Sequence, residues 1–197
     1  MTSYAEIAVT PSQRARRERM LQAALELALG GYDAVQMREV ADRADVALGT
    51  LYRYFPSKVH LLVAAMAEEL ERLRDRALRT APESGDATER VMQVVTAVTV
   101  YLGRNRNLSA ALVRALMFAD GSVAGDVDRV ASIMTSIIAT ATHGVGEAAT
   151  EEDINAALII GKVWLSDIVS WLGERMTLDE MLASMRQTVE TVMAGAP

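Results

Sequence analysis

Cysteine is absent from all 197 residues. The chain therefore forms no disulfide and offers no thiolate chemistry, which fits the cytoplasm. Histidine occurs only as His60 and His143, and neither stands in an HExxH pattern. A GxSxG nucleophile elbow and a phosphate-cradling glycine loop are also missing. Catalysis and metal binding find little support in such a sequence, and no catalytic residue, cofactor or metal ion is expected. Carboxylates are plentiful, but they read as solvated helix faces. The first residues, MTSYAEIAVTPSQRARRER, hold no apolar run before a cleavage site, so a signal peptide is not expected. The longest apolar run, residues 156–172, is interrupted by Lys162 and Asp167, which argues against a membrane span. No strand pattern and no internal repeat is visible.

What is present is helix. Hydrophobic residues make up 51 % of the chain, enough to exclude disorder and to fill a sizeable core in one or two domains. The net charge of −6 is unevenly spread. Residues 1–60 balance at +1 and residues 61–197 at −7, with Arg14, Arg16, Arg17 and Arg19 clustered near the start. A local basic patch, not the overall charge, makes an electrostatic footprint on DNA.

The stretch VADRADVALGTLYRYFPSK, residues 40–58, carries the most information. Its apolar spacing predicts a short helix over 37–44, a tight turn at Asp45-Val46, and a second short helix over 48–54. Leu51 and Phe55 lie four apart on one face and are read as core. Thr50, Arg53 and Tyr54 lie on the other, and such groups bond to base edges or phosphates. Two short helices so joined make a helix-turn-helix, whose second helix enters the major groove. Pro56 blocks continuation, and Ser57 can cap the next helix.

The remaining helices follow from caps and periodicity. Thr10-Pro11-Ser12-Gln13 reads as a capping box opening a helix to about Leu29, ended by Gly30-Gly31. Lys58 to about Arg79 reads as one long helix, with Glu68–Arg72 and Glu71–Asp75 on exposed faces. Thr80 to Ala87 is loop-rich. Further helices are expected over about 88–104, 108–119, 123–142, 150–175 and 178–193. Thr150 is the expected cap of the fourth of these, with Glu151, Glu152 and Asp153 in its first turn, where the helix dipole favours acids. This helix is apolar on most faces, which implies a core face plus a dimer or ligand face.

The ordered signature VADRADVA followed by GTLYRYFPSK resembles the TetR family of transcriptional regulators. The resemblance implies an all-helical homodimer of about nine helices. A helix-turn-helix domain over 1–60 would bind a palindromic double-stranded DNA operator, and residues 61–197 would dimerise and bind a small effector. Asp45 stands where the family often has Gly, and Asp tolerates a left-handed turn. Ala47 stands where a Ser or Thr cap is usual, a loss of about 1 kcal/mol of helix stability. By the resemblance, Arg38, Leu48, Gly49, Thr50, Tyr52, Arg53, Tyr54 and Lys58 contact bases or phosphates. Arg53 is the best-suited base reader, because a guanidinium bridges guanine O6 and N7. Tyr54 and Lys58 suit phosphates, Gly49 allows close backbone approach, and Tyr52 reads equally as a core aromatic. Arg14 and Arg17, three apart on one face, are expected at flanking phosphates.

An effector pocket is expected between the later helices, where adaptable Met and aromatic side chains gather: Met66, Val98, Leu102, Met117, Phe118, Met134, Trp164, Ile168 and Trp171. Arg114 and Asp167 are charges in apolar helices and need partners. Arg114 could anchor an acidic effector group but is read first as snorkelling or paired with an acid, and Asp167 as paired with a neighbouring helix or across a dimer. Three longer segments, VQMREVADRADVALGTLYRYFPSKVHLL, RALMFADGSVAGDVDRV and VWLSDIVSWL, resemble the actinobacterial subgroup that represses sterol catabolism. That resemblance implies a steroid-derived effector such as a CoA thioester. A lipid-binding module of the same fold and an activator remain open alternatives.

Overall fold

The structure, a computed structural model, describes residues 10–79, 85–143 and 148–195. Among these residues the architecture is wholly helical: α1 (Pro11–Ala28), α2 (Met37–Arg43), α3 (Leu48–Tyr54), α4 (Lys58–Arg79), α5 (Ala87–Gly103), α6 (Arg106–Met117), α7 (Ala124–His143), α8 (Glu151–Leu172) and α9 (Leu178–Ala194). Single 3₁₀ turns lie at Tyr32–Ala34 and Gly121–Val123.

The capping box at Thr10 is formed in both directions, with Gln13 N–H donating to Thr10 Oγ1 and Thr10 N–H to Gln13 Oε1. Met20, Leu21, Ala24 and Leu25 then turn one face of α1 into the core. Gly31 takes φ 94°, so the chain leaves α1 through a conformation that favours glycine. The turn between α2 and α3 needs a left-handed residue as well, and Asp45 supplies it at φ 52°. Val46 N–H closes this turn onto Ala41 C=O at 3.0 Å, and the Arg19 guanidinium ties Ala44 C=O to α1 at 3.2 Å. Ala47 occupies the cap of α3 without a side-chain bond. Leu51 and Phe55 are buried, as their spacing predicts. Ser57 accepts the His60 N–H at the start of α4, and its hydroxyl lies 2.9 Å from His60 Nδ1.

Helix α4 is the spine of the molecule. It packs against α1, α6 and α7, and Leu61 to Ala65 are completely buried. Glu68 and Glu71 do not lie on an exposed face as expected from the sequence. Arg129 of α7 reaches both, at 3.1 Å and 2.9 Å, and Arg17 of α1 bonds Glu68 at 2.9 Å. Their face is where three helices meet, so Glu68 serves as the shared partner of two arginines and Glu71 as a second partner of Arg129. Beyond α4, α8 packs against α7 and α9, and α5 against α7 and α9. By length and composition α8 qualifies as a membrane span, but Trp164, Ile168 and Trp171 are buried within the bundle. Its Ile154, Leu158 and Ile159 remain exposed on the single chain.

Some boundaries differ from the sequence reading. Asn105 caps α6 through the Leu108 N–H, so this helix begins at Arg106 and ends at Met117, displaced from the expected 108–119. Helix α8 stops at Leu172, short of Arg175, because Gly173 caps it and Glu174 turns left-handed at φ 59°. Residues 80–84 of the expected loop, and 144–147 after α7, lie outside the described residues.

Candidate nucleic-acid interface and effector cavity

The short helix α3 divides cleanly. Leu51, with Phe55 just past its end, anchors it in the core, while Gly49, Tyr52 and Arg53 are exposed and Leu48, Thr50 and Tyr54 are half-buried. Tyr52 is 46 % exposed, so its ring belongs to the surface and not to the core. Tyr54 packs its ring 6.3 Å from that of Phe55. A Cβ at Gly49 would meet nothing within 4 Å, so no packing within the chain requires glycine there. Arg14 and Arg38 are exposed as well.

Two of the sequence-predicted cations are engaged inside the protein. Arg17 bonds Glu68 and stands 5.7 Å from the Phe55 ring centre. Lys58 donates to Tyr32 C=O at 3.1 Å and stands 4.1 Å from the Tyr32 ring centre. The same ring takes a second cation: the Arg114 guanidinium lies 4.4 Å from its centre and 3.4 Å from Asp33. Arg114 is thus paired with an acid, as its sequence context suggests, but across a distance of 81 residues, from α6 to the loop after α1. Cation–ring contacts of this kind contribute about 0.5–1 kcal/mol each at exposed sites.

Behind this junction lies an apolar cavity of about 330 Å³, walled by α4, α5, α6, α7 and α8. Six of the residues expected from the sequence line it: Met66, Leu102, Met117, Met134, Trp164 and Ile168. Three do not. Val98 is buried on the core side of α5. Phe118 lies just past the end of α6 and is 64 % exposed, its ring 5.8 Å from Arg114. Trp171 instead closes the corner between α5 and α6: Arg106 lies 4.9 Å from its ring centre and donates to its carbonyl, and a Cβ on Gly103 would come within 3.1 Å of its ring.

The wall also contains residues the sequence reading missed. Leu70 and Leu73 continue the Met66 stripe along α4, and Leu112, Val113 and Leu116 continue Met117 along α6. Those periodicities were signals for them. Trp164 is fixed by its indole N–H, which donates to Thr99 Oγ1 at 3.1 Å in the buried core. Polar groups at the wall are few: Glu69, Tyr101, Ser109, Thr135 and Lys162. Ser109 is already bonded to Leu102 C=O. Tyr101 donates its hydroxyl to Glu69 Oε1 at 2.5 Å. Burial, then the Glu69 bond and charge, hold the Tyr101 phenol above its ordinary pKa, against the opposing charges of Arg76 and Arg104. The phenol keeps its proton at neutral pH.

Asp167 is the remaining buried charge. It is 8 % exposed, and its Oδ2 has no hydrogen-bond partner among the described residues. The expected partner on a neighbouring helix is not found there. Among the described residues no cluster of three potential metal ligands occurs.

Known proteins share this arrangement. Residues 20–65 match the family described as bacterial regulatory proteins, tetR family, and residues 85–192 match the tetracyclin repressor-like C-terminal domain. The chain is 47 % identical over 86 % of its length to the HTH-type transcriptional repressor KstR of Mycolicibacterium smegmatis, covering 83 % of that protein. It is 44 % identical over 92 % of its length to KstR of Rhodococcus jostii, covering 84 % of it. A crystal structure of a TetR transcriptional regulator from Rhodococcus sp. RHA1 superposes with a TM-score of 0.85 at 34 % identity, over 94 % of this chain and all of that one. The fold alone is shared with FadR from Thermus thermophilus in complex with lauroyl-CoA, at a TM-score of 0.66 and 17 % identity over 92 % of this chain and 95 % of that one. The chain belongs to the TetR family of transcriptional regulators.

Proposed function

We propose that this chain is a ligand-responsive transcriptional repressor, which binds a palindromic operator as a homodimer in the cytoplasm and lets it go when an apolar effector fills the cavity. One observation carries the reading: the helix that walls the cavity also holds the DNA-binding half. Leu112, Val113, Leu116 and Met117 of α6 face the cavity, while Arg114 of the same helix grips Tyr32 and Asp33. Tyr32 in turn holds Lys58, at the head of α4. An effector that displaces α6 therefore changes the seat of both Tyr32 and Lys58.

We place the boundary between the two functional halves near residue 60, inside the continuous helix α4. On the DNA side, Thr50, Tyr52 and Arg53 meet base edges and phosphates, with Gly49 admitting close approach. Arg14 and Arg38 flank them, Leu48 and Tyr54 border the contact, and Lys58, seated on Tyr32 C=O by one N–H, offers its other donors to phosphate. Arg17 acts from its bond to Glu68, so we assign it to coupling α1 with α4 rather than to a free phosphate contact. Dimerisation uses the exposed apolar face of α8, Ile154 and Ile159 above all, since apolar side chains of this size on one face mark an interface. Recognition helices of a dimer then reach successive major grooves about 34 Å apart.

The effector is a lipid-like molecule, a steroid derivative or an acyl-CoA thioester. The nearly all-apolar cavity wall supports this, as does the lauroyl-CoA bound by the FadR structure of the same fold. The chain is read as a regulator and not as an enzyme. The test is a Thr50→Ala, Arg53→Ala variant assayed against an operator selected from random duplexes. Unchanged circular dichroism with at least tenfold weaker DNA binding is expected; binding equal to that of the parent would remove the recognition surface from α3.

A further inference from the structure

The effector cavity carries one polar pair that offers an incoming molecule both a donor and an acceptor. Glu69 of α4 and Tyr101 of α5 both line it and are bonded to each other through the Tyr101 hydroxyl. Arg72 reaches the other Glu69 oxygen at 3.4 Å. Arg76 and Arg104 stand 5.8 Å and 5.9 Å from the Tyr101 ring centre. All three arginines are exposed, and none is part of the cavity wall. The cation that does border the wall, Lys162, is an exposed residue of α8. At the α4–α5 side the groups turned to a ligand are therefore a carboxylate and a phenol. Glu69 can only accept, and each carboxylate oxygen holds two lone pairs, so Oε1 has room for a second donor.

We infer that Glu69 and Tyr101 form a hydroxyl-reading subsite, so that the effector is an apolar molecule carrying an alcohol at the end that meets this pair. The inference rests on the effector reading above and narrows it. An alcohol inserts without loss: it accepts from Tyr101 and donates to Glu69, and all three groups stay paired. A ketone accepts from the Tyr101 hydroxyl but donates nothing to Glu69. A hydrocarbon leaves the Tyr101 and Arg72 bonds to Glu69 in place but strips water from the carboxylate and offers no bond in return. A ligand carboxylate sets two like charges side by side. Burial, with the Glu69 bond and charge, keeps the phenol protonated and so a donor throughout neutral pH.

The experiment uses the full chain and follows tryptophan fluorescence, since Trp164 lines the cavity. The probes are a tetracyclic steroid skeleton and a straight alkyl chain, each as hydrocarbon, ketone, alcohol and carboxylate. The parent is expected to bind the alcohol of a skeleton about tenfold or more tighter than its hydrocarbon. Tyr101→Phe and Glu69→Gln are expected to bring that ratio to within about twofold. Glu69→Gln is further expected to weaken the alcohol while strengthening the carboxylate, opposite shifts that a damaged fold would not produce. An alcohol preference of the same size in parent and variants would overturn the subsite and leave the effector cavity standing. If no probe of either skeleton bound the parent, the lipid-like effector itself would be overturned, and the subsite with it.

Discussion

Glu68 takes a guanidinium from each of two helices, and this gives it a measurable signature. Burial opposes its ionisation, but the bonds and charges of Arg17 and Arg129 outweigh that cost and hold its pKa below the ordinary 4.5. A carboxylate with a depressed folded pKa stabilises the fold above the unfolded value and loses that contribution as pH falls through the folded one. Glu68→Gln is therefore expected to melt lower than the parent at pH 7, by about 2–4 °C or less once solvent screening is allowed for. The gap should close as pH drops below 4.5; a gap that persists unchanged at low pH would assign Glu68 no ionic role. A second residue tests a backbone argument. Ala47 sits at the cap of α3 with extended backbone and no side-chain bond. Ala47→Ser is expected to raise the melting temperature by about 2–4 °C, corresponding to about 1 kcal/mol. At this scale the sequence was legible where the chemistry is local: the Thr10 box, the left-handed Asp45 and the missing cap at Ala47 depend on neighbours a few residues away. Arg17–Glu68 and Arg129–Glu68 were not, because periodicity tells which face a carboxylate occupies but not which helix will lie against that face.

At the scale of the element, α6 touches both the cavity and the N-terminal half. Its inner residues wall the cavity, and Arg114 reaches the ring of Tyr32 from the opposite side of the helix. Arg114→Met keeps much of the stem while removing the charge. The variant is expected to bind operator DNA as the parent does, and to lose most of the coupling between effector and DNA, a quantity of about 1–3 kcal/mol in such systems. Operator titrations with and without effector, on both proteins, read this directly; equal coupling in both would take Arg114 out of the path. Helices of this length were readable from their stripes and caps. Where the stripe reaches a helix end the reading slipped, as with α6, whose start is set by the Asn105 side chain and not by its first apolar residue. The cavity was half-legible for a similar reason. Met66, Met134 and Trp164 announced an apolar interior, but Val98 and Trp171 belong to the same interior and turn to other neighbours. Only the seating of α8 beside Thr99 and Gly103 of α5 decides that.

For the whole molecule, the exposed Ile154 and Ile159 of α8 are the feature that a single chain leaves unexplained, while the exposed Leu158 beside them borders the cavity. In the proposed dimer, burying the two isoleucines against a second copy joins two α3 helices into one reader of a palindrome. Ile159→Lys is expected to shift the protein to monomer in sedimentation and to weaken operator binding at least tenfold, because each monomer then reads only half a site. A dimer of parental strength would move the interface elsewhere. The charge pattern agrees with the proposed division of labour: residues 1–60 balance at +1 and residues 61–197 at −7, a sign that disfavours DNA against the remainder.

The central claim, that a filled cavity releases the operator, is tested most directly by following both events in one titration. A labelled operator duplex reports binding by fluorescence anisotropy, and tryptophan fluorescence reports entry of a steroid or acyl-CoA thioester into the cavity beside Trp164. Loss of anisotropy in step with tryptophan quenching, at the same ligand concentration, is the predicted result. Full quenching with the DNA still bound at its original affinity would contradict it.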